Sequence, residues 1–600
     1  MYLCCDKKHA IMSENPQAYY SRELAKVNTS IQSLSRKIRR MSLLRIGSFL
    51  LSMFFVVLFA NTQHIVMLFI SLLLLASFVY FTVIHIKNNK NLFRQQARAK
   101  VIRNELYIDP EEDRLYSNGV RFVSDLPFAD DLDLFGQYSV FQKLNRCSTP
   151  VGENLLAHGL INSLHTPEPI KIMQAAVKEL AAFPEFRIEM QTNLLMASSD
   201  KFPSVKRTTE NSTLLLFRPK LFRYLAYGLP ALVWLSLLVG LLGVGYSAFS
   251  LVAVAALMFV FAQARKMMIL GSELDGMRKK YQSWAKVLAQ FGALKLKSEM
   301  LAEMQHEAAI AADRFRELAN ISEQFDRRSN LLLYILSNLF FAFDIHLALR
   351  YEQWKVDNYD QIPHWINTLG RFEMLISLSA FAWNHPNYCW PELSAKQELK
   401  AKALGHPLMA EKQCVKNDAN LQIDPRITLI TGSNMSGKST WLRTLGVNVL
   451  LAQFGLPVMA TSFCWKPLLL LSSLRQSDSL SENTSLFMNE LKQLKSILEK
   501  ASNNYCLILL DEILRGTNSD DKYNGSYELL KRLSSINSLT VMASHDLKLS
   551  TLEQELPGKL NNQCFESTIK GSKLLFDYTI RPGVAVNRNA TWLMKDMGII

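Results

Sequence analysis

The sequence predicts an α/β domain at its C-terminal end, an all-α core and lever region before it, and two transmembrane helical hairpins. Two long stretches without charged residues, 46–84 and 224–262, predict the hairpins. A long, charged and periodic stretch without proline, 272–328, predicts amphipathic helices that pack on one another. From about Ala401, short β-branched runs alternate with helical runs, which is typical of a mainly parallel sheet.

The first hairpin is predicted from its apolar length and its charged ends. Residues 46–60 and 65–84 are uncharged and are joined by a short polar stretch, 61–64. The first run reaches the roughly 20 residues of a membrane helix if it begins near Met41. Basic residues flank both ends, whereas the turn has none, so we expect both ends to face the cytoplasm.

The second hairpin, 224–262, is also uncharged and has basic residues at both ends. Lys220 and Arg223 precede it, and Arg265 and Lys266 follow it. Residues 242–245 can form its turn, and Gly228 with Pro230 is expected to interrupt its first helix, which membranes tolerate. The alternative is a pair of buried core helices. Together the hairpins predict a multi-pass protein of the plasma (inner) membrane, in contact with lipid, with its C-terminal domain facing the cytoplasm.

Charge and cysteine content narrow the class of protein. The formal net charge is +14, which fits either a surface that meets nucleic acid or anionic lipid, or the basic flanks of membrane segments. Much of the excess lies beside the apolar runs, which favours the membrane interpretation. The eight cysteines are scattered without zinc-ligand spacing, so we interpret them as reduced thiols.

A phosphate-binding loop is predicted where a buried strand, 426–431, leads into a helix, 440–454. The loop between them has the Walker A pattern, in which glycines let backbone N–H groups wrap the phosphates of ATP. Lys438 is expected to reach the β- and γ-phosphates, and Ser439 to ligate Mg²⁺. The predicted nucleotide-binding residues are Gly432, Ser433, Asn434, Met435, Ser436, Gly437, Lys438, Ser439 and Thr440.

Two further strands are predicted to bring acidic and imidazole groups to this loop. The strand 505–510 ends in Asp511-Glu512, the Walker B position. We expect Asp511 to hold Mg²⁺ through water, and Glu512 to orient or deprotonate the attacking water. The strand 539–544 delivers His545, which could contact the γ-phosphate. The alternative for His545 is an ordinary surface or core histidine.

These segments resemble the MutS family of DNA mismatch-repair ATPases, which implies a P-loop (ABC-type) ATPase domain. The inner Asn434-Met435 of the loop is typical of that family. The segments 511–518, 543–545 and 485–490 resemble its DEIGRGTS/T, ATH and STFMxEM motifs, with Leu514 in place of the usual glycine. The resemblance implies that Ser485 reaches the ATP of the opposite subunit, so that the working unit is a dimer, expected to be a homodimer. It also implies that Tyr578 packs near the adenine.

The resemblance extends upstream, but we expect the parts with which the family contacts DNA to be missing here or replaced by membrane segments. Residues 141–152 resemble the start of the family's helical core, and 403–408 resemble the beginning of its ATPase domain. The first hairpin replaces the mismatch-reading domain, and the second interrupts the core where the family's DNA clamp would emerge. The predicted division is 1–42 as a cytoplasmic basic N-terminal helix, 43–86 as the first hairpin, 87–136 as a linker, 137–220 as the first part of the core, 221–264 as the second hairpin, 265–400 as core and lever helices, and 401–600 as the ATPase domain.

Three functions compete on these observations. The first is a membrane-anchored MutS-family ATPase that closes a composite dimer site on ATP and drives helical levers. The second is a DNA-binding mismatch-repair or recombination ATPase located at the membrane, which the net charge and the resemblance would support. The third is an ABC-transporter-like protein; its weak points are the small number of membrane helices and the segment 480–484, which lacks the glycine-rich signature of transporters.

Overall fold

The computed structural model describes residues 14–106, 115–123, 127–162, 166–198, 217, 220–274, 277–326, 328, 331–474, 486–514, 517–570 and 573–586. These residues are mostly helical, and an α/β region with two mixed sheets follows at the C-terminal end. The longer helices are α1 (Pro16–Thr62), α2 (Ile65–Leu106), α3 (Pro150–Ile161), α4 (Pro167–Ala181), α5 (Pro184–Ser198), α6 (Lys220–Val239), α7 (Ser247–Ala262), α8 (Ala264–Leu274), α9 (Arg278–Gly292), α10 (Glu299–Asp326), α11 (Leu331–Phe341), α12 (Phe343–Asn358), α13 (Ile362–Asn384), α14 (Lys438–Gln453), α15 (Leu486–Asn503) and α16 (Ser519–Leu533).

The first hairpin consists of α1 and α2, which are much longer than its apolar part. Asn15 caps the start of α1, and Gln63, in a left-handed conformation, ends it before α2 begins at Ile65. The side chain of Ser52 donates to the carbonyl of Ser71 at 3.0 Å across the pair. From Pro16 onward, the basic segment and the apolar run thus form one continuous helix. The predicted linker 87–136 likewise begins in helix, because α2 continues to Leu106.

The lower half of this hairpin is fixed to the helical core. Tyr19 and Tyr20 from α1 and Ile102 from α2 share a buried cluster with Trp383 of α13. In a separate contact, the buried guanidinium of Arg146 donates to both carboxylate oxygens of Glu105 in α2, at 2.6 and 3.1 Å. A buried Arg–carboxylate pair with two parallel hydrogen bonds fixes direction as well as distance. The apolar half of the hairpin therefore projects from a rigid base.

The second hairpin consists of α6, a π-helical turn at Gly240–Val244, and α7. Gly243 and Gly245 have positive φ angles of 93° and 104°, so the turn lies in the predicted segment. The predicted interruption of its first helix is not seen, because Gly228 and Pro230 lie inside α6. Pro230 has no N–H for the carbonyl four residues earlier, that of Ala226. His346 Nε2 lies 3.0 Å from this carbonyl oxygen and replaces the missing partner, so the helix continues.

By length and composition, three helices of the described residues could cross a membrane: α1, α2 and the helix Lys220–Val244, which joins α6 to its turn. A fourth candidate is the pair α7 and α8, which is bent by 48° at its break. The predicted core and lever helices follow as α9, α10 and α12. Large apolar side chains such as Phe291, Phe315 and Phe372 fill the core between them.

The α/β region contains a six-stranded sheet with the order β10-β9-β4-β8-β7-β6 and a four-stranded sheet with the order β1-β5-β2-β3. The strands are β1 (Glu392–Leu393), β2 (Glu398–Leu404), β3 (Asn417–Gln422), β4 (Ile427–Gly432), β5 (Ser462–Trp465), β6 (Leu469–Ser473), β7 (Cys506–Asp511), β8 (Ser538–Ser544), β9 (Leu560–Lys570) and β10 (Lys573–Pro582). The larger sheet is parallel except for the β9–β10 pair, which confirms the predicted mainly parallel sheet.

Candidate functional site

The site lies where the strands β4, β8 and β7 end side by side. In the parallel register, Thr431 of β4 is opposite Ser544 of β8, and Asp511 of β7 is opposite Ala543 of β8. Because β8 lies between β4 and β7, the residue after β8 must lie between the loop after β4 and the residues after β7. That residue is His545, and ligand sites commonly occur at such carboxyl ends of parallel strands.

The loop between β4 and α14 wraps around the side chain of Lys438, the first residue of α14. Its Nζ donates to the carbonyl oxygens of Gly432 and Ser433, each at 2.9 Å. Gly437 has a positive φ of 107°, which favours glycine. At Gly432 a Cβ would lie only 2.8 Å from the carbonyl oxygen of Phe565, so this position has no room for a side chain. The loop geometry therefore depends on both glycines.

A line of three polar side chains crosses the strand ends. His545 Nε2 lies 3.3 Å from Lys438 Nζ and also contacts Glu512 Oε1. An imidazole between an ammonium and a carboxylate can orient the carboxylate and can exchange a proton with it. The three predicted residues come from three separate segments of the chain, and the fold brings them together.

The turn after β7 is held in an unusual backbone conformation. Glu512 and Leu514 have positive φ angles of 46° and 61°. The N–H of Glu512 donates to the carbonyl of Ala543 at 3.1 Å, and the N–H of Leu514 donates to Glu490 Oε1 at 2.6 Å. Glu490 belongs to the predicted signature segment at the start of α15. This segment and β8 thus fix the direction in which the Glu512 side chain leaves the strand.

A cavity of about 470 Å³ opens beside these groups. Most of the predicted nucleotide-binding residues line it, together with Glu512, His545 and Tyr578. Tyr578 lies at an irregularity of β10 with a positive φ of 55°. Asn417 of the smaller sheet fixes that position, because its side-chain amide donates to the carbonyl of Tyr578 and accepts from the N–H of Ile580, each at 2.9 Å.

Sequence reasoning missed one wall of the cavity. Met409, Gln413, Val415 and Asn417 line it from the segment that follows β2. They come directly after residues 403–408, the segment that resembles the start of the family's ATPase domain. This closeness in sequence is the feature from which the wall could have been predicted. Apolar side chains such as Met409 and Tyr578 suit the flat face of a purine, whereas the loop suits phosphate.

Gly432 and Ser433 form the beginning of the loop, and Asp511 lies at the end of β7, 8% exposed. Ser485 lies outside the described residues. In the part of the chain that the structure describes, no group of three or more His, Cys, Asp or Glu side chains could hold a metal. The roles of all these residues stay predictions.

The donor atoms around the loop nevertheless fit Mg²⁺ bound together with phosphate. Ser439 supplies a hydroxyl and Asp511 a carboxylate, and hard oxygen donors of this kind suit Mg²⁺, which usually keeps phosphate and water among its ligands. The buried hydroxyl oxygens of Ser433 and Ser436 have no hydrogen-bond partner within the described residues. Buried hydroxyls without partners are costly and fit a loop that binds a polar ligand.

Comparison with known proteins finds similarity in the region that contains this site. Residues 428–591 match the family model for MutS domain V. The DNA mismatch repair protein MutS of Acetivibrio thermocellus is 31% identical over 239 residues, which cover 39% of this chain. The aligned part spans only 27% of that protein. The C-terminal α/β region is thus similar to MutS domain V, and the similarity covers the β4 loop, the end of β7 and His545.

Proposed function

We propose that this chain is a membrane-anchored, MutS-like ATPase that binds and hydrolyses ATP with Mg²⁺. One observation carries the proposal: Lys438, His545 and Glu512 meet at the edge of a cavity that the glycine-rich loop lines. The similarity of residues 428–591 to MutS domain V supports the same conclusion.

In this proposal the loop binds the phosphates and the opposite wall binds the base. The N–H groups of residues 433–440 and the N-terminal end of α14 attract the negative oxygens. Lys438 exchanges its two backbone acceptors for phosphate oxygens. Tyr578 and Met409 pack near the adenine. Ser439 and Asp511 would hold Mg²⁺, which neutralises phosphate charge when bound.

Hydrolysis then depends on Glu512. Its carboxylate orients a water molecule and accepts its proton as the water oxygen attacks the γ-phosphorus and the bond to ADP breaks. His545 acts from the neighbouring strand, because its ring contacts Glu512 Oε1 and lies 3.3 Å from Lys438 Nζ. It positions Glu512 and is near enough to contact the γ-phosphate.

The anchoring part of the proposal rests on exposed apolar surface. Leu73 in α2, Leu242 in the turn after α6 and Leu251 in α7 are among the most exposed large apolar side chains of the molecule. A bilayer would bury such side chains on helices that are long enough to cross it. Basic residues flank both hairpins, so we place the ATPase domain on the cytoplasmic side of the plasma (inner) membrane.

A dimer completes the proposed cycle. By resemblance, Ser485 reaches the nucleotide of the opposite subunit, so ATP closes a composite site between two copies. The lever helices α10 and α12 then carry the movement toward the hairpins. The second candidate is a DNA-binding repair or recombination ATPase at the membrane, which is favoured by the net charge of +14 and by the similarity to the DNA mismatch repair protein of A. thermocellus.

The test uses Glu512→Gln in the full chain, reconstituted in phospholipid vesicles. Because the amide cannot accept the proton of water, we expect Mg-ATP to bind while hydrolysis falls by roughly 10²-fold or more. Glu499→Gln, an exposed change in α15, is the matched control and should hydrolyse ATP like the unchanged chain.

Two outcomes would redirect the proposal. Unchanged hydrolysis by Glu512→Gln would remove Glu512 from the mechanism. Tight binding of a mismatched DNA duplex by the ATP-bound Glu512→Gln chain, weakening steeply as salt is added, would favour the DNA-binding candidate.

A further inference from the structure

The helix α11 is apolar enough for a membrane but too short to cross one. Between Arg328 and Asp344 the chain carries no charged residue. With 11 residues, α11 is about 16 Å long, roughly half the thickness of the hydrocarbon core. Ala342, in a left-handed conformation with φ of 45°, separates α11 from α12, and Arg328 before α11 pairs with Asp344 in the first turn of α12 at 2.9 Å. The two ends of the apolar stretch thus lie close together, and we call α11 with the start of α12 the short hairpin.

The contacts of α11 place it beside the second membrane hairpin. Near the basic end of that hairpin, Tyr334 packs against Phe261 of α7, with ring centroids 6.4 Å apart. At the other end of α11, Phe340 packs against Trp234 of α6 at 5.0 Å. Trp234 lies 14 residues after Lys220, which is about 21 Å along the helix. α11 therefore runs from the basic flank toward the interior of the apolar layer.

Two hydrogen bonds join the short hairpin to α6, and each satisfies a carbonyl that would otherwise lack a donor. The indole N–H of Trp234 donates to the carbonyl of Phe340 at 3.2 Å, in the last turn of α11, where intrahelical donors run out. On the returning helix, His346 Nε2 lies 3.0 Å from the carbonyl of Ala226, whose usual donor is lost at Pro230. In hydrocarbon every backbone polar group must find such an internal partner.

The polar side chains of α11 are also satisfied within the protein. Ser337 and Asn338 both donate to the carbonyl of Tyr334, at 3.2 and 3.0 Å. The Asn338 side-chain oxygen accepts from the N–H of Asp344 at 2.9 Å, and Arg328 pairs with the Asp344 carboxylate at 2.9 Å. Among residues 334–341 of α11, whose side chains are described, the exposed ones are apolar: Leu336 is 44% exposed and Phe341 is 60% exposed.

We infer that α11 and the start of α12 form a re-entrant element, a third membrane-embedded unit whose exposed face contacts lipid acyl chains. The inference rests on the proposed membrane anchoring. We assign lipid to the exposed face of α11 because α11 packs on α6 and α7. Its exposed face therefore continues their exposed apolar faces, on which Leu235 and Leu251 lie. The lever helix α10 leads directly into this element, so the proposed lever movement would end inside the bilayer and not at its surface.

The experiment measures the surroundings of a spin label on single introduced cysteines. The full chain is reconstituted in vesicles of phosphatidylethanolamine and phosphatidylglycerol, and the parent chain is labelled in parallel so that its native cysteines can be subtracted. Leu336→Cys and Phe341→Cys test the element. Leu251→Cys in α7 is the lipid control, and Val356→Cys, at the far end of α12, is the water control. Binding of Mg-ATP by each variant checks that it is folded.

We expect both test positions to collide often with oxygen and rarely with a water-soluble nickel complex, as the lipid control does. Frequent collisions with nickel at both positions, as at Val356→Cys, would overturn the inference and leave the anchoring intact. Rare collisions with either reagent would also overturn it, because another protein surface, such as a second copy, would then cover the face. Frequent nickel collisions at Leu251→Cys itself would overturn the anchoring as well.

Discussion

At the scale of single residues, the site depends on backbone angles as much as on side chains. Lys438, His545 and Glu512 could be predicted from the sequence because each follows a buried strand in a recognisable pattern. The positive φ angles of Glu512, Leu514 and Tyr578 could not, since these residue types rarely adopt that conformation. Distant partners impose it: Glu490 for Leu514, and Asn417 for the turn at Tyr578.

A buried carboxyl in the core gives a prediction about pH. Burial raises the pKa of Glu373 in α13 from its ordinary 4.5 to about 7, although Ser148 and Thr149 donate to it. The folded state therefore holds this proton over a pH range in which the unfolded state has lost it. The stabilisation is complete below about pH 4.5 and is lost as pH rises toward 7.

Glu373→Gln removes this dependence, because the amide stays neutral at every pH. Relative to the unchanged chain, we expect the variant to gain stability between pH 4.5 and 7, by at most about 3 kcal/mol, and then to level off. Thermal unfolding midpoints at pH 5 and pH 8 measure the change. A midpoint difference that is the same at both values would contradict the raised pKa.

At the scale of elements, the sequence predicts the strands around the site to within one or two residues and predicts both apolar hairpins. The sequence does not predict the full length of the first hairpin. The charged residues at 87–106 indicate a linker, whereas α2 continues through them to Leu106. Some of the charges there pair with the core, as in the contacts of Arg94 with Glu189 of α5 and of Glu105 with Arg146. The expected interruption at Pro230 fails for a similar reason, since His346 comes from a part of the chain that no local pattern connects to it.

The contact between His346 and α6 can be tested by rescue. His346→Ala leaves the Ala226 carbonyl without a donor in a buried place, which costs about 1–3 kcal/mol. Adding Pro230→Ala restores the N–H that this carbonyl would use within its own helix. We therefore expect the single variant to unfold at lower temperature and the double variant to recover much of the loss. No recovery in the double variant would mean that His346 acts through other contacts.

The packing of α14 on the sheet gives a second prediction. A Cβ on Gly446 would lie 2.6 Å from Leu132 Cδ2 and 3.1 Å from Leu509 Cδ1, both on fully buried side chains. Gly446→Ala should therefore destabilise the protein by about 1–3 kcal/mol, although alanine favours a helix by about 1 kcal/mol.

Gly271→Ala in α8 is the matched control for this change. Its nearest atom, Phe325 Cδ1, is at an ordinary 3.6 Å, so we expect no loss of stability there. Thermal unfolding of both variants in detergent compares them. Equal midpoints for the two would contradict the tight packing of α14.

At the scale of the whole molecule, the short segment 143–146 contacts the C-terminal α/β region, the helical core and the base of the first hairpin. Lys143 donates to the carbonyl of Pro407, near the cavity wall. The N–H of Arg146 donates to Ser377 of α13 at 3.0 Å, and its guanidinium pairs with Glu105 at the base of the first hairpin. In the proposed cycle we therefore expect a movement of the C-terminal α/β region to reach the base of the first hairpin through these buried, directional contacts. No local pattern predicts this connection, because its partners lie far apart in the sequence.

The central claim is that the glycine-rich loop serves an ATPase in a membrane-anchored chain. The most direct test is Mg-ATP hydrolysis by the full chain in phospholipid vesicles, compared with Lys438→Ala. The control is Lys495→Ala, an exposed lysine in α15. We predict that the unchanged chain and the control hydrolyse ATP at the same rate and that Lys438→Ala falls to background. Full activity in Lys438→Ala would contradict the account.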